Sequence, residues 1–272
     1  MEAALLGLFM LSAGLVTVAL EYPGSPLRQA MGDPVARRFL TGLGMGATAI
    51  ALIYSAWGKR SGAHFNPAVT LTFLRLGKVE RWDAVLYIAA QFAGAVAGVA
   101  LVALVVGSPF GDPTVNYTAT RPGTGGHIAA FAAEVVITFV LMVTVLTLTN
   151  APRLARYTGL AVGVLLVLYI TIEAPFSGMS MNPARSFAPT IDTGLWNELW
   201  VYFAGPVVGM LLAAEVWVRI MGRDRVRCAK LHHTPDHPCP FRCGYQAGSD
   251  PTTDPAMNDT RRDARRHEEF AS

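Results

Sequence analysis

The chain has 272 residues, of which 52% are hydrophobic and only 15% are charged, whereas soluble domains carry about 25% charged residues. Long apolar runs fill residues 1–222, and residues 223–272 are polar, so the composition predicts a membrane domain followed by a cytoplasmic tail. The net charge is only +3, and the basic residues cluster at segment ends, which disfavours nucleic-acid binding.

Six apolar segments reach the length of a membrane-spanning helix, which needs roughly 20 residues. In chain order these segments are about 2–21, 36–56, 83–106, 128–149, 157–174 and 198–221. Two shorter apolar pieces, about 67–76 and 183–191, would form helices roughly 15 Å long. Each piece spans half of a bilayer core, and such half-helices are tolerated at membrane depth where protein surrounds them.

The distribution of basic residues predicts the orientation of the spans, because cytoplasmic loops are enriched in lysine and arginine. These residues are concentrated in the 57–82 link, the 150–156 link and the start of the tail. The 22–35 and 107–127 links carry no comparable excess. Both termini of this integral membrane protein are therefore predicted to lie in the cytoplasm.

The chain contains an internal repeat, in which residues about 1–107 resemble residues about 127–222. Three blocks recur in the same order: Thr-Gly-Leu at 41 and 158, Asn-Pro-Ala at 66 and 182, and Phe-Ala-Gly at 92 and 203. Each half contains three spans, so the second half must insert upside down relative to the first. Inverted repeats of this kind place a binding site near the midplane, where broken helices meet.

The two Asn-Pro-Ala triplets read as helix starts, because asparagine is a preferred N-cap and proline favours the first helical position. The triplets comprise Asn66, Pro67, Ala68, Asn182, Pro183 and Ala184. In an inverted repeat the two starts point at each other, and each carries roughly half a positive charge. The asparagine amides add hydrogen-bond donors without a formal charge. The pattern therefore predicts a pore that orients water and repels cations, including hydronium.

The residues around the triplets, Ser61–Thr70 and Ser177–Phe187, resemble the motifs of the major intrinsic protein family of aquaporins and glycerol facilitators. The resemblance covers about residues 1–221. It implies an all-α membrane protein with six tilted transmembrane helices, two re-entrant half-helices and a homotetramer with one pore per subunit. The implied function is a passive channel for water or small neutral solutes in the lipid bilayer, with no cofactor needed for transport.

The resemblance also implies a narrow outer constriction with four contributors. By their distance from the triplets they are Gly46, Ile170, Met179 and Arg185. Arg185 places a positive charge inside the membrane, where charged residues are costly and functional by default. The other three depart from the aromatic residue and the histidine that a strict water channel is expected to carry. A wider and less polar opening would suit glycerol or urea as well as water.

Other residues resemble those of water channels. Ser186 stands where glycerol facilitators carry an aspartate, and Tyr202 and Phe203 stand where water channels carry two aromatic residues. These residues favour a water channel, whereas the constriction residues favour a wider opening that admits larger solutes. Water and glycerol-like or urea-like solutes therefore both remain candidates.

Polar residues within the apolar spans require partners, because an unpaired buried polar group is costly. Glu2 and Glu134 occupy corresponding positions in the first span of each half, and such glutamates in the family accept hydrogen bonds from the half-helix loops. We expect both glutamates to support these loops. His64, two residues before Asn66, is expected to do the same, with a pH-sensing role as the alternative.

The tail holds six potential metal ligands within sixteen residues: Cys228, His232, His233, His237, Cys239 and Cys243. Thiolate and imidazole are ligands that zinc prefers in proteins. Cys239 and Cys243 are separated by three residues, which fits a ligand pair, although no standard zinc-finger spacing occurs. The tail is thus either a site for zinc or another metal or a disordered basic segment, and residues 246–272 are expected to be disordered.

Two other classes of function compete with a channel. An enzyme is disfavoured because residues 1–222 show no nucleotide-binding loop, nucleophile–base pair or catalytic carboxylate pair. An ion-coupled secondary transporter also fits an inverted repeat with broken helices, but it would need paired ionisable residues in the membrane. The spans offer Glu2, Glu134 and Arg185 for such a role.

Overall fold

The structure, a computed structural model, describes residues 1–234, 237 and 239–244, and within these ranges it contains helices and no strands. Eight helices define the architecture of the described part. Their bounds are α1 Glu2–Glu21, α2 Pro34–Tyr54, α3 Pro67–Arg75, α4 Arg81–Val106, α5 Gly126–Thr149, α6 Thr158–Ile172, α7 Pro183–Thr193 and α8 Leu199–Met221. The connections hold short helical turns at Pro26–Ala30, Ala56–Ser61, Ser108–Gly111, Asn116–Thr118, Ala155–Tyr157, Ala174–Ser177, Trp196–Glu198 and Arg223–Arg225.

The six long helices correspond to the six predicted spans, and α3 and α7 correspond to the two predicted half-helices. Among the described residues, five helices are long and apolar enough to cross a membrane: α1, α4, α5, and α6 and α8 with the turns that precede them. The sixth long helix, α2, has 21 residues and carries Arg37 and Arg38 near its start. The half-helices have 9 and 11 residues, or about 14 and 17 Å.

The long helices of the two halves pack in equivalent pairs. In the first half α1 packs along α4, in the second half α5 packs along α8, and α2 packs along α6 between the halves. Exchanging the two halves of the chain turns the α1–α4 contact into the α5–α8 contact and leaves the α2–α6 contact in place. Both half-helices contact α4 and α8, so the two halves enclose α3 and α7 between the long helices.

Glycine allows the close approach of α1 and α4. A Cβ atom on Gly94 would collide with the backbone of Ala3, and a Cβ atom on Gly205, the equivalent glycine of α8, would lie 2.8 Å from the Cβ of Glu134 on α5. Small residues at such crossings bring helix backbones together in membranes. The backbone of a packed helix cannot move aside, so these contacts depend on the missing side chains.

Replacing Gly94 with alanine is therefore expected to destabilise the protein by about 1–3 kcal/mol, the usual cost of overpacking. The measurement is the thermal unfolding midpoint of the purified protein in detergent. Gly32→Ala is the matched control, because a Cβ atom there would meet nothing within 4 Å. Equal midpoints for the two variants would contradict the close packing of α1 and α4.

The chain after α8 folds back over one end of the helix bundle. We call residues 226–233 and 239–244 the strap. It carries apolar side chains that are buried against the membrane domain, among them Val226, Leu231 and Phe241. The described part of the tail is thus packed against the bundle, and the segment 246–272, for which disorder was expected, lies outside the described residues.

Candidate pore

The two half-helices begin at the asparagines of the triplets. Asn66 caps α3 by accepting a hydrogen bond from the Ala68 N–H at 2.9 Å, and Asn182 caps α7 by accepting from the Ala184 N–H at 3.1 Å. A proline follows each cap at the first helical position. Local sequence alone therefore fixes where both helices start. The asparagine side chain accepts a hydrogen bond from a free N–H group of the first turn, and proline has no N–H group that would need a partner at the first helical position.

The caps of the two half-helices are joined to each other by a reciprocal pair of hydrogen bonds. The Asn66 side chain donates from Nδ2 to the Met181 carbonyl at 2.7 Å, and the Asn182 side chain donates from Nδ2 to the Phe65 carbonyl at 2.8 Å. Each amide nitrogen keeps a second hydrogen for another acceptor. Both asparagines lie on the wall of the same cavity, so the two helix starts meet at one point of that cavity.

The loops that lead into the triplets share an uncommon backbone. Ala63 and Phe65 have φ angles of 56° and 28°, and the equivalent Met179 and Met181 have 53° and 56°. Non-glycine residues with such angles are strained, and strain of this kind persists only where the surroundings enforce it. The same strain at matched positions indicates that both loops are held in one specific shape.

Glu2 holds the first loop. Its carboxylate accepts hydrogen bonds from Ser61 Oγ at 2.7 Å, from the His64 N–H at 3.3 Å and from the Phe65 N–H at 2.7 Å. The amide of Gln91 donates to the same carboxylate at 2.8 Å. One buried side chain therefore binds the two backbone N–H groups that precede Asn66.

Glu134 holds the second loop in the same way. It accepts hydrogen bonds from Ser177 Oγ at 2.8 Å, from the Ser180 N–H at 2.7 Å and from the Met181 N–H at 2.8 Å. Glu134 is fully buried. The hydroxyl of Tyr202 donates to the Ser177 carbonyl at 2.6 Å, so this aromatic residue of α8 also supports the loop, a role that the sequence did not suggest.

His64 is a buried residue that links the first loop to the strap. Its Nε2 donates to the Ala229 carbonyl at 2.9 Å, because a carbonyl can only accept, and its Nδ1 lies 3.1 Å from Thr70 Oγ1. The imidazole is stacked between the rings of Phe73 and Phe241. The contact with the strap was not foreseen from the sequence.

A cavity of about 250 Å³ runs between the helices and past both triplets. Its walls are stripes of residues spaced three or four apart, such as Arg38, Thr41, Met45 and Ala49 on α2. Water takes about 30 Å³ per molecule in the liquid, so the cavity has room for several. The long helices thus place one continuous, mostly apolar space beside the two helix starts.

Three of the four residues assigned to the constriction, Ile170, Met179 and Arg185, line this cavity. Arg185 follows the second triplet, and its Nη1 is buried with no hydrogen-bond partner among the described residues. A guanidinium with an uncommitted N–H group on the cavity wall is a donor for a passing solute. It also adds a full positive charge to the wall.

The structure places the fourth residue, Gly46, elsewhere. A Cβ atom on Gly46 would lie 2.7 Å from the Gly163 carbonyl oxygen, so Gly46 faces α6 and is not on the cavity wall. Gly42 likewise faces Val167, and this antiparallel register sets Thr41 near the level of Ile170. At this level the α2 residue on the cavity wall is Thr41, with Met45 one turn deeper. The count back from Asn66 assumed no insertion, and the sequence held no signal for one.

The strap brings four of the six potential metal ligands together. The sulfurs of Cys228 and Cys239 are 3.4 Å apart, and Cys243 Sγ lies 3.1 Å from Nε2 of His233. All four ligand atoms lie within 4.8 Å of one another. The other two histidines are not in this group, and the ring of His232 packs edge-on against Tyr54; His237 is half-buried.

The thiols of this group differ in acidity. A hydrogen bond from Cys228 lowers the pKa of the Cys239 thiol. The same hydrogen bond, together with burial, raises the pKa of Cys228. Three cysteine sulfurs beside an imidazole form a donor set that suits zinc.

Comparison with known proteins places the chain in a family. The profile of the major intrinsic protein family matches residues 4–217. A probable NIP-type aquaporin of Nicotiana alata is 36% identical over 181 residues, which cover 66% of this chain and 65% of that protein. Aquaporin A of Dictyostelium discoideum is 37% identical over 191 residues, covering 68% of this chain and 67% of that protein.

A solved structure has the same fold. The X-ray structure of the aquaglyceroporin from Plasmodium falciparum aligns with a TM-score of 0.65 at 19% sequence identity, covering 82% of this chain and 96% of that one. The similarity supports an all-α membrane fold with six spans and two half-helices. The chain is an integral membrane protein and belongs to the major intrinsic protein family.

Proposed function

We propose that the protein is a passive channel for water and small neutral solutes that excludes protons and ions. The observation that carries the proposal is the reciprocal pair of hydrogen bonds between the Asn66 and Asn182 caps, because it joins two helix starts on the wall of one cavity. The family assignment and the aquaporins among the relatives support it. Catalysis has no part in this proposal.

The geometry of the caps gives a mechanism for excluding protons. A water oxygen at the triplets accepts hydrogen bonds from the second amide hydrogens of Asn66 and Asn182, so its own hydrogens point away along the pore. Neighbouring waters on the two sides are then oriented in opposite directions, and a proton cannot hop through. The helix N-termini of α3 and α7 each add roughly half a positive charge at this point, which repels cations.

The outer constriction favours a mixed substrate range. Ile170 and Met179 are apolar, and the polar side chains of this cavity wall include Thr41 and the Arg185 guanidinium. An apolar wall opposite a fixed donor fits a small polyol or urea, whose carbon atoms and hydroxyl or amide groups need both. We infer that water passes together with glycerol-like solutes, and a pore mainly for such solutes is the alternative.

Replacing Thr41 with phenylalanine is expected to lower glycerol uptake about tenfold while water flux falls much less, because pore diameter limits the larger solute first. The measurement is stopped-flow light scattering of proteoliposomes under water and glycerol gradients. Leu43→Phe is the matched control, since Leu43 lies on the same helix but is exposed on its outer face. Equal losses of water and glycerol flux in the Thr41 variant would contradict this wall assignment.

An ion-coupled transporter remains the rival of a different class. The described contacts do not favour it, because Glu2 and Glu134 bind the loops through several hydrogen bonds each and are committed to structure. Flux that requires a proton or sodium gradient would support the transporter. Flux driven by the solute gradient alone supports the channel.

The orientation and the assembly are further proposals. Basic residues in the 57–82 and 150–156 links and in the tail support cytoplasmic termini, which would put the strap at the cytoplasmic mouth. A homotetramer with one pore per subunit follows from the family resemblance. Transport itself needs no cofactor under this proposal, and a metal ion, held by Cys228, His233, Cys239 and Cys243, is proposed for the tail alone.

A further inference from the structure

The strap lies across the mouth of the bundle that leads to the first triplet. Its outgoing arm, residues 226–233, begins where the Arg227 N–H donates to Asn150 Oδ1 at 2.6 Å, in the link between α5 and α6. The arm then reaches the opposite side, where the Leu231 N–H donates to the Gly62 carbonyl at 3.0 Å. The two anchor points belong to different halves of the repeat, so the arm spans the mouth.

The returning arm, residues 239–244, closes the strap on the same surface. The Arg242 N–H donates to the Lys78 carbonyl at 3.2 Å, and the Arg242 side chain forms an ion pair with Glu80. The Gly244 N–H donates to the Arg227 carbonyl at 2.6 Å, which joins the end of this arm to the start of the other. The two arms of the strap are therefore joined to each other and fastened to the bundle at this mouth.

One side chain of the strap reaches into the conduit. Leu231 is 4% exposed and lines the same cavity as His64, Phe65 and Asn66. Phe241 from the other arm stacks on the His64 imidazole, with ring centroids 5.2 Å apart. An apolar side chain at the end of a narrow pore is a barrier to water, because an apolar constriction dewets.

The four clustered ligands connect the two arms. Cys228 and His233 belong to the outgoing arm, and Cys239 and Cys243 belong to the returning arm. Zinc binds sulfur at about 2.3 Å and imidazole nitrogen at about 2.0 Å in tetrahedral sites, which sets the ligand atoms of a site with three sulfurs and one nitrogen roughly 3.5–3.8 Å apart. The observed Cys228–Cys239 separation of 3.4 Å and the common span of 4.8 Å lie near this arrangement.

We propose that Cys228, His233, Cys239 and Cys243 bind one zinc ion, and that this ion fastens the strap so that Leu231 closes the pore at this mouth. The inference rests on the channel function proposed above. Binding displaces the thiol protons to the buffer and leaves the imidazole neutral. Without the ion the buried side chains of Leu231 and Phe241 still pack on the bundle, but the two arms lose the ion that links them, so the strap detaches more readily and the pore opens.

The test uses the full chain without a histidine tag, reconstituted into liposomes. Elemental analysis is expected to find one zinc ion per chain in the wild-type protein. Stripping the metal with a membrane-permeable chelator is expected to raise osmotic water permeability about tenfold, as expected when an open state of on the order of 10% becomes dominant. Adding zinc back should restore the low permeability.

Variants separate the metal from the barrier. The double variant Cys239→Ser/Cys243→Ser should bind no zinc and conduct at the raised level without chelator. His237→Ala is the matched control, because His237 lies in the same segment but outside the four-ligand group, and it should behave as the wild type. Leu231→Ala should keep its zinc and still conduct faster, since only the barrier is smaller.

The outcomes distinguish failure of the gate from failure of the channel. Wild-type protein without zinc, or zinc-loaded protein that conducts as fast as stripped protein, would overturn the metal gate and leave the channel intact. Water flux at the level of protein-free vesicles in every state, including the double variant, would overturn the channel and the gate together. Zinc retained by the double variant would show that the ligands are wrong.

Discussion

Replacing Glu134 with alanine is expected to abolish the folded protein or to lower its unfolding temperature far more than a surface substitution does. The carboxylate accepts three hydrogen bonds from Ser177, Ser180 and Met181 in a fully buried site. Each donor left unpaired costs about 1–3 kcal/mol, so the loss totals roughly 3–9 kcal/mol, against a typical stability of about 5–15 kcal/mol. The strained backbone at Met179 and Met181 would relax at the same time.

The measurement is the unfolding midpoint of the detergent-purified protein, together with its yield in the membrane. Glu134→Gln should be intermediate, because the amide keeps one accepting oxygen but turns an NH₂ group towards the remaining donors. Glu215→Ala is the control, since Glu215 forms only a partly exposed ion pair with Arg75, worth at most about 1 kcal/mol. An alanine variant at position 134 as stable as the wild type would refute the supporting role of this carboxylate.

Replacing Arg185 with valine is expected to make the pore leak protons. The guanidinium lies on the cavity wall with Nη1 uncommitted. At roughly 6 Å and an effective dielectric constant near 20, a unit charge repels a passing cation by about 3 kcal/mol. Since about 1.4 kcal/mol changes a rate tenfold, loss of the charge should raise proton flux by about one to two orders of magnitude, while water flux changes little.

Proton flux is measured in proteoliposomes that contain a pH-sensitive dye, with a potassium diffusion potential as the driving force. Arg185→Lys preserves the charge and should keep the proton flux as low as in the wild type, which separates an electrostatic effect from a change in pore width. The measurement should use protein freed of metal, so that the strap does not mask the effect. An unchanged proton flux in the valine variant would assign proton exclusion to the triplets alone.

The sequence predicted the helices and the two half-helices because their signals are local. Hydropathy over about 20 residues defines a span, and Asn66-Pro67 and Asn182-Pro183 define two helix starts through capping. The internal repeat then paired Glu2 with Glu134. The expected contacts of both glutamates with the half-helix loops came from the family resemblance, because they join distant parts of the chain.

The residues of the constriction were harder to predict from the sequence, because they depend on how α2 is rotated against α6. The helix is apolar on several faces, so periodicity does not distinguish Thr41 and Met45 on the cavity wall from Gly46 at the helix contact. Gly42 and Gly46 allow the close crossing with α6, and the same composition would allow another rotation. The rotation is fixed by tertiary contacts alone.

The strap is the part of the structure that the sequence predicted least well. Its polar composition predicts a solvated tail, and nothing local shows that Leu231 and Phe241 fold back onto the bundle. Likewise His232 and His233 are neighbours in sequence, yet only His233 faces the cysteines while His232 packs on Tyr54. Such choices depend on long-range contacts with the 57–82 link.

The most direct test of the account is the temperature dependence of osmotic water permeability in proteoliposomes that contain the metal-free full chain. Because the amides of Asn66 and Asn182 line one cavity, we expect the vesicles to shrink rapidly without any ion gradient. The activation energy of this shrinkage should lie well below that of protein-free vesicles. Shrinkage no faster than that of the lipid alone, with the same steep temperature dependence, would contradict the existence of a shared pore.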